Sequence, residues 1–351
     1  MRPHQAGRVG ARPRIYTQWV AIVLAGTALA LGIVACGDDD EETGTTAEPQ
    51  RIDLALDFYV NPDHAGIYAA LEKGNFEQEG LDVRPRVPSD PSAPIKQVAA
   101  RRADLAISYE PEVLLAKDQG LDVVAVAAIV DSPLTSLISV SEAGIESAAD
   151  LAGRTIATAG IPYQSDYLET ILATAGLSPS DVDEVNVGFS LLPAVIGVRA
   201  DAMLGGFRNV EGVDLRLRGL DPRVVPVDEL GVPTYDELVL VANGSAVEEH
   251  PDRIRGFISA LAEGTAYAVS HPQEASNFVL DAGSGLDPAL TRAEIDATLP
   301  LLEPEPRKPY GFMDEAEWSA FAEWMADQDL LAEGAPEPGD VLTNELLPPV
   351  P

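Results

Sequence analysis

The chain has 351 residues, 46% of them hydrophobic and 23% charged, which supplies enough apolar surface for a large core and excludes an acidic disordered tail. Its 57 acidic residues outnumber 23 lysines and arginines, and the resulting net charge of -34 repels a phosphate backbone and excludes nucleic acid as a partner. The single cysteine, Cys36, excludes an internal disulfide framework, a multi-cysteine zinc site and a protein-ligated iron–sulfur cluster.

What precedes Cys36 explains it. Arg2, Arg8, Arg12 and Arg14 lead into an uncharged stretch, 20–35, with no acid before Asp38, which is the charge asymmetry of a secretory signal. As a helix that stretch rises about 24 Å, short of the roughly 30 Å of a hydrocarbon core. It closes on Ile33-Val34-Ala35-Cys36, which resembles a bacterial lipobox. The resemblance implies removal of residues 1–35, acylation of Cys36 and a lipid anchor on the extracytoplasmic face of the cell membrane. Residues 36–50 are too poor in large apolar groups to order themselves and read as a flexible tether. No G-x-x-x-x-G-K-[ST] loop occurs in the sequence, so an ATP-driven step belongs to another chain.

From Arg51 onward short apolar strands alternate with amphipathic helices, an α/β pattern. It predicts a strand over 54–58, a helix over 65–73 stopped by Gly74, and a strand over 81–87 ended by Pro88-Ser89-Asp90-Pro91. A helix over 95–102 then feeds a short buried strand whose polar end is Ser108, Tyr109 and Glu110. Residues 122–130, almost unbroken in apolar character, read as a central strand buried on both faces.

A second block of the same rhythm follows Ser132-Pro133. Residues 151–157 pass from a short helix into a strand, 166–175 form a helix closed by Gly176, and 198–203 lead into another strand. Arg-Ala-Asp precedes a strand in both blocks, at 102–104 and 199–201. Strand character returns over 238–242, and helices are expected over 252–270, 273–280, 294–302 and 314–328. Trp318, Phe321 and Trp324, spaced three apart, form a core-facing helical stripe. The simplest assembly is two α/β lobes joined by two crossovers with a cleft between them, 51–131 with 236–351 in one lobe and 132–235 in the other.

The run Leu56 to Tyr68, then Lys73-Gly74-Asn75-Phe76, Glu79 to Val83, Ala103 to Tyr109, Asp150 to Arg154, Val185 to Gly188 and Asn209 to Val213 together resemble the NMT1/THI5-like substrate-binding proteins of ABC transporters. Within that family the likeness is to the branch that binds thiamine pyrimidine precursors of the formylaminopyrimidine and hydroxymethylpyrimidine type. It implies a bilobal type II periplasmic-binding-protein fold that closes over a small planar heterocyclic solute and delivers it to an ABC permease served by a separate ATPase. Neither cofactor nor catalysis is implied.

A flat heterocycle needs aromatic faces and a few in-plane hydrogen-bonding groups, including a carboxylate or carbonyl for an exocyclic amine. The candidates are Phe58, Tyr59, Asn61 and His64 after the first strand; Ser108, Tyr109 and Glu110 after another; Tyr163 at a helix start beside Gly160; Arg208, Asn209 and Glu211 after a Gly205-Gly206 turn; and Tyr235 and Asp236 at the return crossover. His64 also suits a cap for its helix, and Ser108 a cap for its strand. Glu110 and Glu112, two apart on a strand or loop, read chiefly as a solvated face, with Glu110 kept in the site.

The chain departs from the family's pattern in having Phe58, Phe207 and Arg208 where tryptophan is frequent. Arg208 next to a cleft also suits an anionic or carbonyl-rich ligand, so riboflavin-type and alkanesulfonate-type binders remain alternatives. Fungal pyrimidine synthases share the family, with a lysine and a histidine at the positions of Ser108 and Glu112 and a cysteine-rich cluster near the return crossover. This sequence offers none of those groups there, which argues against a pyridoxal Schiff base or an iron site.

Overall fold

Two five-stranded sheets organise residues 48–304, 306–332 and 334–350, the residues described by the computed structural model; Cys36 and the preceding signal lie outside them. Strands β1 (Gln50–Ala55), β2 (Leu81–Arg86), β3 (Leu105–Ser108), β4 (Val124–Val130) and β10 (Leu238–Ala242) pair in the order β2-β1-β3-β10-β4. Strands β5 (Thr135–Val140), β6 (Thr155–Thr158), β7 (Asp183–Asn186), β8 (Ala202–Phe207) and β9 (Pro222–Pro226) pair in the order β7-β6-β8-β5-β9. In each sheet four strands run one way and a fifth, from the other side of a crossover, runs against them: β10 between β3 and β4, and β5 between β8 and β9. The fold is therefore bilobal α/β, two like sheets joined by two crossings of the chain.

The repeated Arg-Ala-Asp step has a physical job. The Asp104 amide donates to the Asp53 carbonyl at 2.9 Å while its carboxylate accepts the Asp53 N–H at 2.8 Å. Asp201 does the same to Thr155, at 2.8 and 2.9 Å. Each aspartate thus pins the third parallel strand of its sheet to the first and satisfies an amide that precedes the regular ladder.

Five expectations need correction. The first strand is Gln50–Ala55, not 54–58, so Asp57 and Phe58 lie beyond its end, and the helix expected over 294–302 is Pro288–Thr298. The apolar run at 124–130 is an outer strand, not a central one. It is buried because the chain's last segments cover its free edge, where the Ala128 amide donates to Gly311 and Thr343 donates to Ala125, both at 2.9 Å. Glu110 and Glu112 are not a solvated face: they open a helix, Glu110–Asp118, and both are buried. Pro111 fixes that helix start, where its missing N–H is not needed. Gly205 and Gly206 form no turn; they lie inside β8, where Gly205, at φ 105°, leaves room for the Gln164 side chain.

The long helix Pro251–Ser270 crosses Ala65–Glu72 at a glycine contact. A Cβ on Gly264 would run into the Gly66 carbonyl and the Ala70 side chain, both on a backbone that cannot yield. Gly264→Ala is expected to destabilise by about 1–3 kcal/mol through overpacking, read as a lower midpoint in urea with the slope unchanged.

The crossovers are tied by one carboxylate. Glu237 is fully buried, and its Oε2 accepts from Leu134 N (2.8 Å), Thr135 N (2.7 Å) and the Tyr235 hydroxyl (2.9 Å), while Oε1 accepts from the Thr135 hydroxyl (2.8 Å). Leu134 and Thr135 belong to the outgoing crossing, Tyr235 and Glu237 to the returning one, so this side chain fixes where the two crossings meet.

Candidate ligand-binding site

The parallel strands of both sheets point their carboxyl ends at one cavity of about 190 Å³. That is the position open α/β sheets give their ligands. Asp57 and Phe58 follow β1, Tyr109 follows β3, Ala159 and Ile161 follow β6, and Gly205 and Phe207 belong to β8. The fourth wall is the helix Pro288–Thr298, which packs on both the Pro62–His64 turn and the helix Glu211–Leu217 and so spans the two lobes. Its start is firmly set: the Asp287 carboxylate accepts from the amides of Ala289 and Leu290 at 2.9 Å each, with Pro288 at the first position.

Of the candidates, Phe58, Tyr59, Asn61, Tyr109, Tyr163 and Glu211 line this cavity. Phe58 and Tyr59 pack with Phe189 of the second lobe, at centroid distances of 4.6 and 4.4 Å, and close one end of it. The Tyr109 and Tyr163 rings meet edge to face, 5.9 Å apart, across the lobes. The row of rings continues through Tyr167 (4.9 Å from Tyr163) to Tyr235 (5.7 Å from Tyr167), joining the cavity wall to the returning crossover. Asn61 Oδ1 accepts the Asp63 amide at 2.8 Å, so its side chain shapes the turn while facing the cavity.

His64, Ser108, Glu110, Arg208, Asn209, Tyr235 and Asp236 do not line the cavity, and each has other partners. His64 Nδ1 accepts the Asn61 N–H at 3.3 Å, which places the ring proton on Nε2, where it is donated to Asp57 Oδ1 at 2.8 Å. Ser108 donates to Glu112 at 2.7 Å. Arg208 Nε donates to the Pro133 carbonyl at 3.1 Å, bracing a crossover instead of meeting an anion. Asn209 reaches across the cleft, its Nδ2 donating to Asp63 Oδ1 at 2.7 Å and to the Thr298 hydroxyl at 2.8 Å, which makes it a latch between lobes. Glu110 accepts the Asp236 amide at 2.7 Å, and Asp236 in turn accepts from the Trp318 indole at 2.6 Å. Burial pushes both these carboxyls up, Asp236 to about 7. Tyr235 donates to Glu237 at the returning crossover.

Asp57 carries no mark in the sequence pattern, where it falls inside the strand expected over 54–58; in the structure it lies two residues past the end of β1. It is the buried carboxylate at the cavity floor, accepting from Tyr109 Oη at 3.0 Å as well as from His64. An acid at the end of an otherwise apolar strand was the available signal. Glu294 is the other unmarked acid. Its carboxyl is pushed up to about 8, first by burial and then by Glu211, Asp214 and Asp63. Asp63 itself is pushed up to about 7 by burial, and Glu211 is raised by burial against the pull of the Phe207 amide, which donates to it at 2.8 Å. No lysine, arginine, histidine or cysteine lines the cavity, and no three metal-ligating side chains are grouped to hold an ion among the described residues.

The NMT1/THI5 like family pattern matches residues 61–275. The chain belongs to that family. The formylaminopyrimidine-binding protein of Halalkalibacterium halodurans is 35% identical over 89% of this chain and 94% of its own length. A 4-amino-5-hydroxymethyl-2-methylpyrimidine phosphate synthase of Legionella pneumophila is 25% identical over 72% of this chain and 79% of its own. Among solved structures, the alkanesulfonate-binding protein SsuA from Xanthomonas axonopodis pv. citri, bound to MOPS, superposes with a TM-score of 0.67 at 17% identity, covering 85% of this chain and 100% of that one. The last likeness is one of fold. No described helix is long and apolar enough to cross a membrane.

Proposed function

We propose that this family member is an extracytoplasmic, lipid-anchored solute-binding component of an ABC importer that captures a thiamine pyrimidine precursor of the formylaminopyrimidine or hydroxymethylpyrimidine type. The lobes are taken as 51–131 with 236–351 and 132–235, the anchor as Cys36, and the partners as a permease and a separate ATPase.

One observation carries the reading: a cavity between two lobes, about 190 Å³, walled by Phe58, Tyr109, Tyr163 and Phe207 and edged by the carboxyls of Asp57, Glu211 and Glu294. A dry cavity of about 150 Å³ takes up benzene, so this one suits a single substituted ring better than the fused rings of a flavin. Rings supply the faces and carboxyls accept from an exocyclic amine. The relative named for formylaminopyrimidine binding supports the same solute. The lining holds no lysine for a Schiff base and no cysteine for a thiol nucleophile, which supports capture of the solute over its conversion.

Titration calorimetry with formylaminopyrimidine and its hydroxymethyl counterpart should give one site with Kd of about 1 µM or tighter. Tyr109→Phe and Glu211→Gln should each weaken it by about 1–3 kcal/mol, with the melting point unchanged for the glutamine and lowered by a few degrees for the phenylalanine, which takes a donor from the buried Asp57 carboxylate. No binding of either compound at millimolar concentration, or turnover of either, would end this reading.

A further inference from the structure

Glu294 is 7% exposed and faces the cavity, yet its carboxyl has no hydrogen-bond or ion-pair partner among the described residues. It sits on the same face of its helix as Asp287, Leu290 and Thr291, the spacing that turns all four toward the cavity. A carboxyl that opens only onto a largely apolar cavity and has no protein partner is costly, and a leucine or glutamine would fill the place more cheaply. The charged groups that act on it are acids. Glu211 and Asp214 come from the helix Glu211–Leu217, Asp63 from the Pro62–His64 turn and Asp287 from its own helix start. The neighbouring basic side chains are engaged elsewhere: Arg218 grips Asp214, its Nη2 3.0 Å from Oδ2, and His64 is held by Asp57.

We propose that Glu294, together with Glu211, is the specificity determinant of the cavity, selecting rings that present N–H donors or positive charge and rejecting the phosphorylated or sulfonated forms of the same rings. The inference rests on the solute-binding reading above and adds its charge rule. An amine or amidine-like edge gives Glu294 the partner it lacks. A phosphate or sulfonate brings a fixed negative charge into a lining with no cation to balance it, so it would give up its hydration without gaining a counter-charge whether the two acids hold their protons or not. The arginine that the sequence places beside the cleft does not alter this, because Arg208 points its Nε at the Pro133 carbonyl.

The test is a matched pair of probes, 4-amino-5-hydroxymethyl-2-methylpyrimidine and its phosphate ester, titrated into the wild-type protein and Glu294→Gln. Wild type should prefer the alcohol by about 100-fold, and the variant should reduce that preference to about tenfold or less. Equal affinities, or a preference that the variant leaves intact, would overturn the proposal. Failure of both pyrimidines would sink the solute assignment but not the charge rule, which a second pair of one-ring probes decides. Benzamidine should raise the wild-type melting point and lose that effect in Glu294→Gln, while benzenesulfonate should not raise it. Stabilisation by benzenesulfonate, or by neither compound, overturns it. The variant should also melt at or above the wild-type temperature, since it removes an unpartnered acid; a large loss of stability would show that Glu294 has a structural partner.

Discussion

Glu237→Ala should lower stability by about 4 kcal/mol or more, while Glu237→Gln should cost about 1 kcal/mol. The alanine leaves four donors, two backbone amides and two hydroxyls, without an acceptor in a fully buried place. Each orphaned donor costs roughly 1–3 kcal/mol, partly relieved where a hydroxyl can turn elsewhere. In the glutamine the carbonyl oxygen still takes the three donors that converge on Oε2. Its amide faces only the Thr135 hydroxyl, which can rotate and accept. A melting point lowered by about 8 °C or more for alanine and by a few degrees at most for glutamine is expected from calorimetry. Equal losses in both variants would mean that charge, not the count of accepted hydrogen bonds, holds the two crossings together. Because Glu237 touches no cavity residue except through the tyrosine row, glutamine should also keep ligand affinity near wild type.

The second large effect is on pH. Burial pushes Asp63, Glu112 and Asp236 up to about 7 and Glu294 up to about 8 in the folded protein. Unfolded, such groups titrate near 4, so between about pH 4 and pH 8 the folded state holds protons that the unfolded state has released. Stability therefore falls as pH rises through that window and levels off above it. Partly exposed acids that are held below their usual range, Asp53, Asp122 and Asp150 among them, act the other way, but only as pH drops toward 4. The net charge of -34 adds self-repulsion on the alkaline side. The melting point should peak near pH 5 and be about 5–10 °C lower at pH 9. Salt should recover only part of that loss, since buried groups are poorly screened. A melting point that is flat or rising from pH 5 to pH 9 would show that these carboxyls have partners the geometry does not reveal.

Much of this fold is legible in the sequence because local signals and tertiary packing agree. Gly74 and Gly176 end helices in the left-handed backbone their positions require, at φ 72° and 71°. The strand over 238–242 falls where its unbroken apolar run places it. The repeated Arg-Ala-Asp step marks two equivalent places in two equivalent sheets.

What local patterns cannot carry is illegible for physical reasons. Strand β5, Thr-Ser-Leu-Ile-Ser-Val, mixes small polar residues into a buried strand and has no clean alternation. The apolar run of β4 cannot tell a central strand from an outer one covered by distant chain. In the site, strand ends and helix starts pointed to the right loops, so aromatic residues such as Phe58 and Tyr109 were within reach. The acids were not. Whether Asp57, Asn209 or Glu294 faces a cavity, another lobe or nothing depends on pairings far apart in sequence, such as Asn209 with Asp63 and Thr298.

The placement of β10 bears on how the molecule assembles. Every strand of the second sheet lies within one unbroken stretch, ending at Pro226, so that half can condense as soon as the stretch is available. The first half cannot: its strand between β3 and β4 arrives only after the whole second half has been made. Until Leu238–Ala242 slots in, β4 offers seven consecutive apolar residues with an unpaired backbone on the side that β10 will fill. Such an edge invites pairing with another chain. The interval before that strand is seated is when newly made protein is most exposed to aggregation, and a holdase would find its most adhesive target in the first half, not the second.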